Sequence, residues 1–198
     1  MTKLAKEYYL NPDVVDVAKD LLGKLLITNI HGVYTSGLIV ETEAYTGIHD
    51  KASHSYGGKR TQRNDAMYAE GGISYVYLCY GLHALFNIVT HQEGVPQAVL
   101  IRAIEPVEGV EVMMQRKLAK QMGYNLGNGP GNVCKSMGIS TKHNRLSLIG
   151  NTIWIDDQGI KYPDLSIIAS ARVGVAYAQE DALLPYRFRI KGNRWTGR

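Results

Sequence analysis

The spacing of apolar residues changes period along this chain. After Asn11 and Pro12, apolar side chains fall at Val14, Val15, Ala18, Leu21 and Leu22, the spacing of one helix face. Asn11 is the expected cap, Pro12 the first helical residue and Gly23 the stop. Beyond Gly23 the period drops to two. Residues 24–30 and 33–44 read as strands joined at His31 and Gly32, a hairpin. In the second of these, alternation sends Ile39, Glu41, Glu43 and Tyr45 to one face and Val40, Thr42 and Ala44 to the other. Further strands are expected over 73–80, 85–89, 98–104, 152–155, 165–169 and 186–190, with Tyr75, Tyr77 and Cys79 sharing a face.

Pro106 is expected to open a helix running to about Met122, with Val110, Met113, Met114 and Leu118 as its apolar side. Residues 127–131 (GNGPG) form a tight connection into a short helix through Cys134 and Met137, and Arg172, Val173 and Gly174 fall in a loop between the last two strands. Helices do not alternate regularly with strands, which argues against a doubly wound parallel sheet. The expected fold is α+β: a single domain over residues 1–198 with a curved, mainly antiparallel β core and several surrounding helices.

Composition narrows the chemistry. At 198 residues, 45% hydrophobic and 20% charged, the chain can bury a sizeable core. A formal charge of +4 tilts weakly toward an anionic partner. Thirteen Tyr against two Phe and two Trp favour stacked or half-wet surfaces over a dry core. Cys79 and Cys134, the only cysteines, lack paired-ligand spacing, and His49 and His54 have no third and fourth ligand to join them, so no metal is expected. No signal peptide or membrane-length apolar run is visible, and a cytoplasmic protein is the default expectation.

Two acids on one strand face need partners or water, because like charges raise each other's pKa and burial does the same. Glu43 in a pocket could take a proton from an attacking water, or could be an acid satisfied by a neighbouring Arg. Glu41 and Glu43, about 6.5–7 Å apart along one strand, point the same way instead of flanking a glycosidic bond from opposite sides. Tyr45 and Tyr77, with His54, could sandwich a flat heterocycle. Lys59, Arg60, Arg63, Arg102, Lys135 and Arg172 are candidates to meet phosphates. Several tyrosines next to an acid and a basic loop shift the balance toward a planar ligand.

Six blocks in order resemble the alkyladenine (3-methyladenine or methylpurine) DNA glycosylase family: residues 40–45 (VETEAY), 52–64 (ASHSYGGKRTQRN), 75–81 (YVYLCYG), 86–88 (FNI), 100–106 (LIRAIEP) and 171–175 (ARVGV). The resemblance implies a monofunctional DNA glycosylase that needs no cofactor; the alternatives to it are a non-catalytic damaged-DNA-binding protein and a nucleoside or glycoside hydrolase. It would cut the N-glycosidic bond of alkylated, deaminated or etheno purines in double-stranded DNA and so start base excision repair. It implies that Glu43 activates water and that Tyr45, His54, Tyr77 and Asn87 shape the base pocket, Asn87 discouraging guanine's amine. Tyr80 would enter the minor groove, and Arg60, Arg63, Arg102, Lys135 and Arg172 would support the DNA backbone or the pocket. A monomer without membrane association is expected, nucleoid-associated if prokaryotic. Where relatives carry Ser-Lys after the Gly-Pro pair, this chain has Gly131 and Asn132, which would remove a phosphate contact or move it to Lys135.

Overall fold

Residues 2–197 are described by a computed structural model. Nine strands form one open sheet: β1 (Thr2–Lys3), β2 (Leu25–Ile30), β3 (Val33–Tyr45), β4 (Ser74–Cys79), β5 (His83–Thr90), β6 (Gln97–Glu108), β7 (Ile153–Asp157), β8 (Ile167–Ser170) and β9 (Arg187–Ile190). Their order is β1-β7-β2-β3-β6-β5-β4, β9 joins β3 and carries β8, and these pairings are antiparallel. With the α-helices α1 (Lys6–Tyr9), α2 (Val14–Asp20), α3 (Val110–Lys117) and α4 (Pro130–Met137), the fold is α+β. Among the described residues no helix is long and apolar enough to cross a membrane.

The expected hairpin is present. Ile30 pairs with Val33, and the two residues between them, His31 and Gly32, both have positive φ, as a two-residue turn between twisted strands requires. β3 runs on for 13 residues and changes neighbours part-way. One edge follows β6; the other follows β2 as far as Leu38 and β9 from Glu41 to Glu43. Register shifts against β6 fall on either side of Glu41, where the neighbour changes, and such bulges bend a strand.

Alternation along β3 sorts the two faces. Val40 and Ala44 join Val14, Val17, Ala18 and Leu21 of the α2 region in the main core, and the Thr42 hydroxyl donates to the Ala18 carbonyl at 2.7 Å. Each fully buried Val or Leu there contributes about 1.5–3 kcal/mol, which fixes the register and leaves Glu41 and Glu43 on the opposite face. Beside them α4 packs on β5 and β6 through Val133, Cys134 and Met137.

Three expectations are corrected. Pro106 does not start a helix: it lies inside β6 opposite Gly37, at a register shift where a missing N–H is tolerated, and the helix begins only after Gly109. That helix stops at Lys117, with Leu118 in a left-handed conformation and 87% exposed, so Leu118 is not on a buried face. The cap of α2 is Asp13, whose carboxylate accepts from the Val15 and Asp16 N–H groups, while Asn11 accepts from the Asp13 N–H one step earlier.

Candidate active site

Strand register gathers the site. Arg187, Glu43, Leu100, Asn87 and Tyr75 are successive partners across β9, β3, β6, β5 and β4, so they form one row on one face of the sheet. Two residues along their strands, Tyr45, Arg102, Leu85 and Tyr77 extend the same face. Three loops wall it in. Residues 46–73 bring His54 over the sheet, 171–186 bring Val173 and Tyr177, and Gly129 to Asn132 at the start of α4 close a third side. The result is a cleft of about 700 Å³.

Glu41 and Glu43 lie beneath this cleft, fully buried, and Arg102 joins them. Glu41 accepts from Arg102 Nε at 2.9 Å, Arg187 Nε at 2.7 Å and the Gly197 N–H at 2.6 Å. Burial pushes the Glu41 carboxyl up, but these donors outweigh it and the net displacement is downward. Glu43 accepts from the Val173 N–H and the Tyr45 hydroxyl, each at 2.8 Å, and Arg102 Nη1 stands 3.3 Å away. For Glu43 burial prevails over Arg102, Val173 and Tyr45, with the Glu41 charge adding to it, and the carboxyl is raised above its ordinary range. Three donors leave one lone-pair site of the carboxylate for a further partner.

A smaller pocket of about 40 Å³ opens off the cleft, lined among others by Tyr45, His54, Tyr75, Tyr77, Asn87 and Tyr177. His54 Nδ1 lies 2.8 Å from the Tyr75 hydroxyl, and its ring stands edge-on to Tyr77 with centroids 4.7 Å apart. Tyr75 and Tyr77 stack at 5.1 Å. Burial, then the nearby Arg63 and Lys59, lower the imidazole to about 4, so the ring is neutral at neutral pH. Asn64 pins this loop: its amide donates to the carbonyls of His54 and Lys59, both at 2.8 Å. The buried Asn87 donates to the Tyr75 carbonyl at 3.0 Å.

The basic candidates separate by environment. Arg63 reaches the Leu78 carbonyl at 3.0 Å and lies 5.2 Å from the Tyr77 ring at the cleft wall. Arg60 is exposed and paired with Asp65, and Lys135 is exposed on α4 away from the cleft lining. Arg172 is buried in a two-pronged pair with Asp50, donates to the Ala44 carbonyl and lies 4.9 Å over the Tyr45 ring. Of the two roles open to Arg102 and Arg172, burial therefore suits pocket support and does not suit phosphate contact. Tyr80 sits at the tip of the β4–β5 hairpin, 89% exposed, with positive φ followed by Gly81.

Tyr75, Val173, Asp50, Arg187 and Tyr177 were not singled out from the sequence. The alternation of 75–79 did place Tyr75 beside Tyr77, and Arg187 lies in the strand expected over 186–190, but Val173, Asp50 and Tyr177 come from segments with no periodic signal. Among the described residues no group of three or more His, Cys, Asp or Glu is arranged to hold a metal ion.

A buried, proton-hungry carboxylate under an aromatic cleft defines a site that could hydrolyse a bond to a flat heterocycle. Comparison with known proteins sharpens this. A family model described as methylpurine-DNA glycosylase (MPG) matches residues 8–194. Three relatives carry the name "Putative 3-methyladenine DNA glycosylase". That of Clostridium acetobutylicum is 46% identical over 97% of this chain and 96% of its own. Those of Chlamydia felis, at 47% over 94% and 95%, and Desulfitobacterium hafniense, at 45% over 99% and 98%, are similarly close. The chain belongs to the methylpurine-DNA glycosylase family.

Proposed function

We propose that this protein is a monofunctional purine DNA glycosylase that removes damaged bases from duplex DNA by hydrolysis, with Glu43 as the base that activates water. The observation that carries this reading is the Glu43 environment: a fully buried carboxylate, raised in pKa, held by Tyr45, Val173 and Arg102, three residues that line the cleft walled by Tyr45, His54 and Tyr77. The relatives' name points to 3-methyladenine as a first substrate, and deaminated and etheno purines fit the same chemistry.

The step balances simply. Water adds to the anomeric carbon of the sugar while the C–N bond to the purine breaks, its electron pair leaving with the base. Glu43 takes the proton that the water loses. A positively charged alkylated purine departs neutral, whereas hypoxanthine or ethenoadenine needs a proton on departure. An ionised Glu43 also favours the positive charge that develops on the sugar. Its Tyr45, Val173 and Arg102 partners fix where the carboxylate points. No lysine lines the cleft to attack the sugar as an amine, which supports hydrolysis without strand cleavage.

Reaching the anomeric carbon requires the nucleotide to leave the helix, at a cost of a few kcal/mol that damage lowers. Tyr80, exposed at its hairpin tip, has the position and size to fill the gap in the stack. Stacking of the extruded base on the tyrosines returns about 1–3 kcal/mol. Asn87, held by the Tyr75 carbonyl, presents a fixed polar wall that disfavours guanine's exocyclic amine. The exposed Arg60 and Arg63, with Lys135 further off, meet phosphates of a double-stranded DNA partner in this reading, Arg60 giving up its pair with Asp65 and Arg63 its bond to the Leu78 carbonyl, and a monomer suffices for this action.

The deciding measurement is release of free base from duplex DNA carrying one alkylated adenine or one hypoxanthine, by wild type and by Glu43→Gln. Release by wild type alone is the expected result. Tight binding of lesion DNA without release by either protein would replace the enzyme with a damage-binding protein.

A further inference from the structure

The inner pocket is too small for its task. At about 40 Å³ it has room for roughly one water, far short of a two-ring purine, yet Tyr45, His54, Tyr77 and Asn87 all line it. Tyr45, His54 and Tyr77 also line the outer cleft, but Asn87 lines only the inner pocket, so a purine that is to meet Asn87 requires a wall of that pocket to move. Tyr45 is tied to Glu43 and lies against Arg172; His54 is tied to Tyr75; Tyr77 is stacked on Tyr75; Asn87 is buried and bonded to a strand carbonyl. Tyr177 differs from them. Like Tyr45, His54 and Tyr77 it lines both the cleft and the inner pocket, but it is 64% exposed and its hydroxyl makes one latch, donating to the Ala52 carbonyl at 3.0 Å.

The backbone that carries Tyr177 is fastened. Val175 and Ala178 are buried against Ala52, and Arg172 holds both Asp50 and the Asp181 carbonyl. The Lys51 N–H donates to the Asp181 carboxylate, and the Lys51 ammonium reaches Gln179 and Glu180. A segment stapled on both sides of Tyr177 leaves side-chain rotation as the available motion, and exposed side chains change rotamer in picoseconds to nanoseconds.

Resting on the glycosylase reading, the geometry points to Tyr177 as a gate on the base pocket and a specificity-determining residue. Its ring turns away from Ala52 to admit an extruded purine and turns back over it, so the space beneath the closed ring limits the size of base accepted. Tyr177→Phe cuts the latch and keeps the ring. Tyr177→Ala removes both.

The test uses duplex DNA with one ethenoadenine, whose fluorescence rises as it leaves the stack, mixed rapidly with each Tyr177 variant in a Glu43→Gln background so that no base is cut. Single-turnover release of ethenoadenine and hypoxanthine is measured in parallel with Glu43 intact. Uptake should quicken about twofold or more in Tyr177→Phe and about tenfold in Tyr177→Ala, because cutting the latch or removing the ring raises the fraction of molecules with the pocket open. The ratio of ethenoadenine to hypoxanthine release should rise in Tyr177→Ala alone. A merely structural role would lower the thermal midpoint and move neither quantity. Equal uptake rates and equal ratios in all three proteins would overturn the gate. So would hypoxanthine release by wild type with no fluorescence change in any variant, which leaves the glycosylase reading intact. Absence of both release and fluorescence change for every lesion would remove the enzyme reading and the gate with it.

Discussion

Two carboxylates two residues apart on β3, equally buried and sharing one arginine, are driven in opposite directions. Around Glu41, two guanidinium groups and a backbone N–H overcome the cost of burial and hold the side chain ionised. Around Glu43 one arginine stands farther off, at 3.3 Å, the remaining donors are neutral, and burial wins. Glu41 is spent on structure. Glu43 keeps an appetite for a proton and an unused acceptor site, the combination a general base requires. What separates them is the number of cations within reach, not depth in the protein.

Exchange of function for stability should therefore differ at the two positions. The largest effect is expected for Glu43→Gln, which should slow base release by about 10²–10⁴-fold while its urea midpoint stays within about 1 kcal/mol of wild type. Next, Glu41→Ala strands Arg187 and part of Arg102 without their partner, and a broken buried pair costs about 3–5 kcal/mol. Denaturant titration should show that loss, and the fraction still folded should retain more turnover than Glu43→Gln. A Glu41 variant with undiminished stability, or a Glu43 variant with normal turnover, would erase the distinction.

A finer test uses pH. In the proposed reaction Glu43 works when ionised, and its pKa lies above the ordinary carboxylate value, so activity should rise with pH along an acid limb displaced upward. The Tyr45 hydroxyl favours the ionised form, so Tyr45→Phe should move that limb to still higher pH while keeping the ring that walls the pocket. The sign also bears on folding. With the folded pKa above the unfolded one, the native state holds more protons between the two values, and the contribution of Glu43 to stability falls as pH rises through them. Removing the hydroxyl should widen that window. The pH–rate profile of Tyr45→Phe against wild type checks this smallest effect, and coincident limbs would mean that the phenol does not tune the base.

Much of this was legible in the amino-acid order, because it is local. Period-two alternation placed Glu41, Glu43 and Tyr45 on one face and Val40, Thr42 and Ala44 against α2, and the His31-Gly32 turn set the hairpin. The choice between the two acids was not legible without a family resemblance. Their discriminating donors come from Val173, Arg187 and Gly197, 130 to 156 residues away along the chain. Pro106 misled for a related reason: in isolation it resembles a helix start, and only the bulge opposite Gly37 makes it acceptable in a strand. Arg172 reads as one more basic residue until Asp50, far upstream, is seen to enclose it.

The change of neighbour along β3 also bears on when the site comes into being. β9, which borders Glu41 to Glu43, is the last strand in the chain, and Arg187 and the Val173 loop arrive with that final stretch. During synthesis the chain emerges N-terminal end first, at about 5–20 residues per second, so VETEAY is outside the ribosome several seconds before its partners exist. Contacts this distant in sequence also close slowly. Until they form, Glu41 and Glu43 lack the Val173 N–H, Arg187 and the Gly197 N–H as partners. The acidity of the two carboxyls is thus set by residues made long after them, and a fragment that stops before residue 173 carries both acids without the contacts that tell them apart.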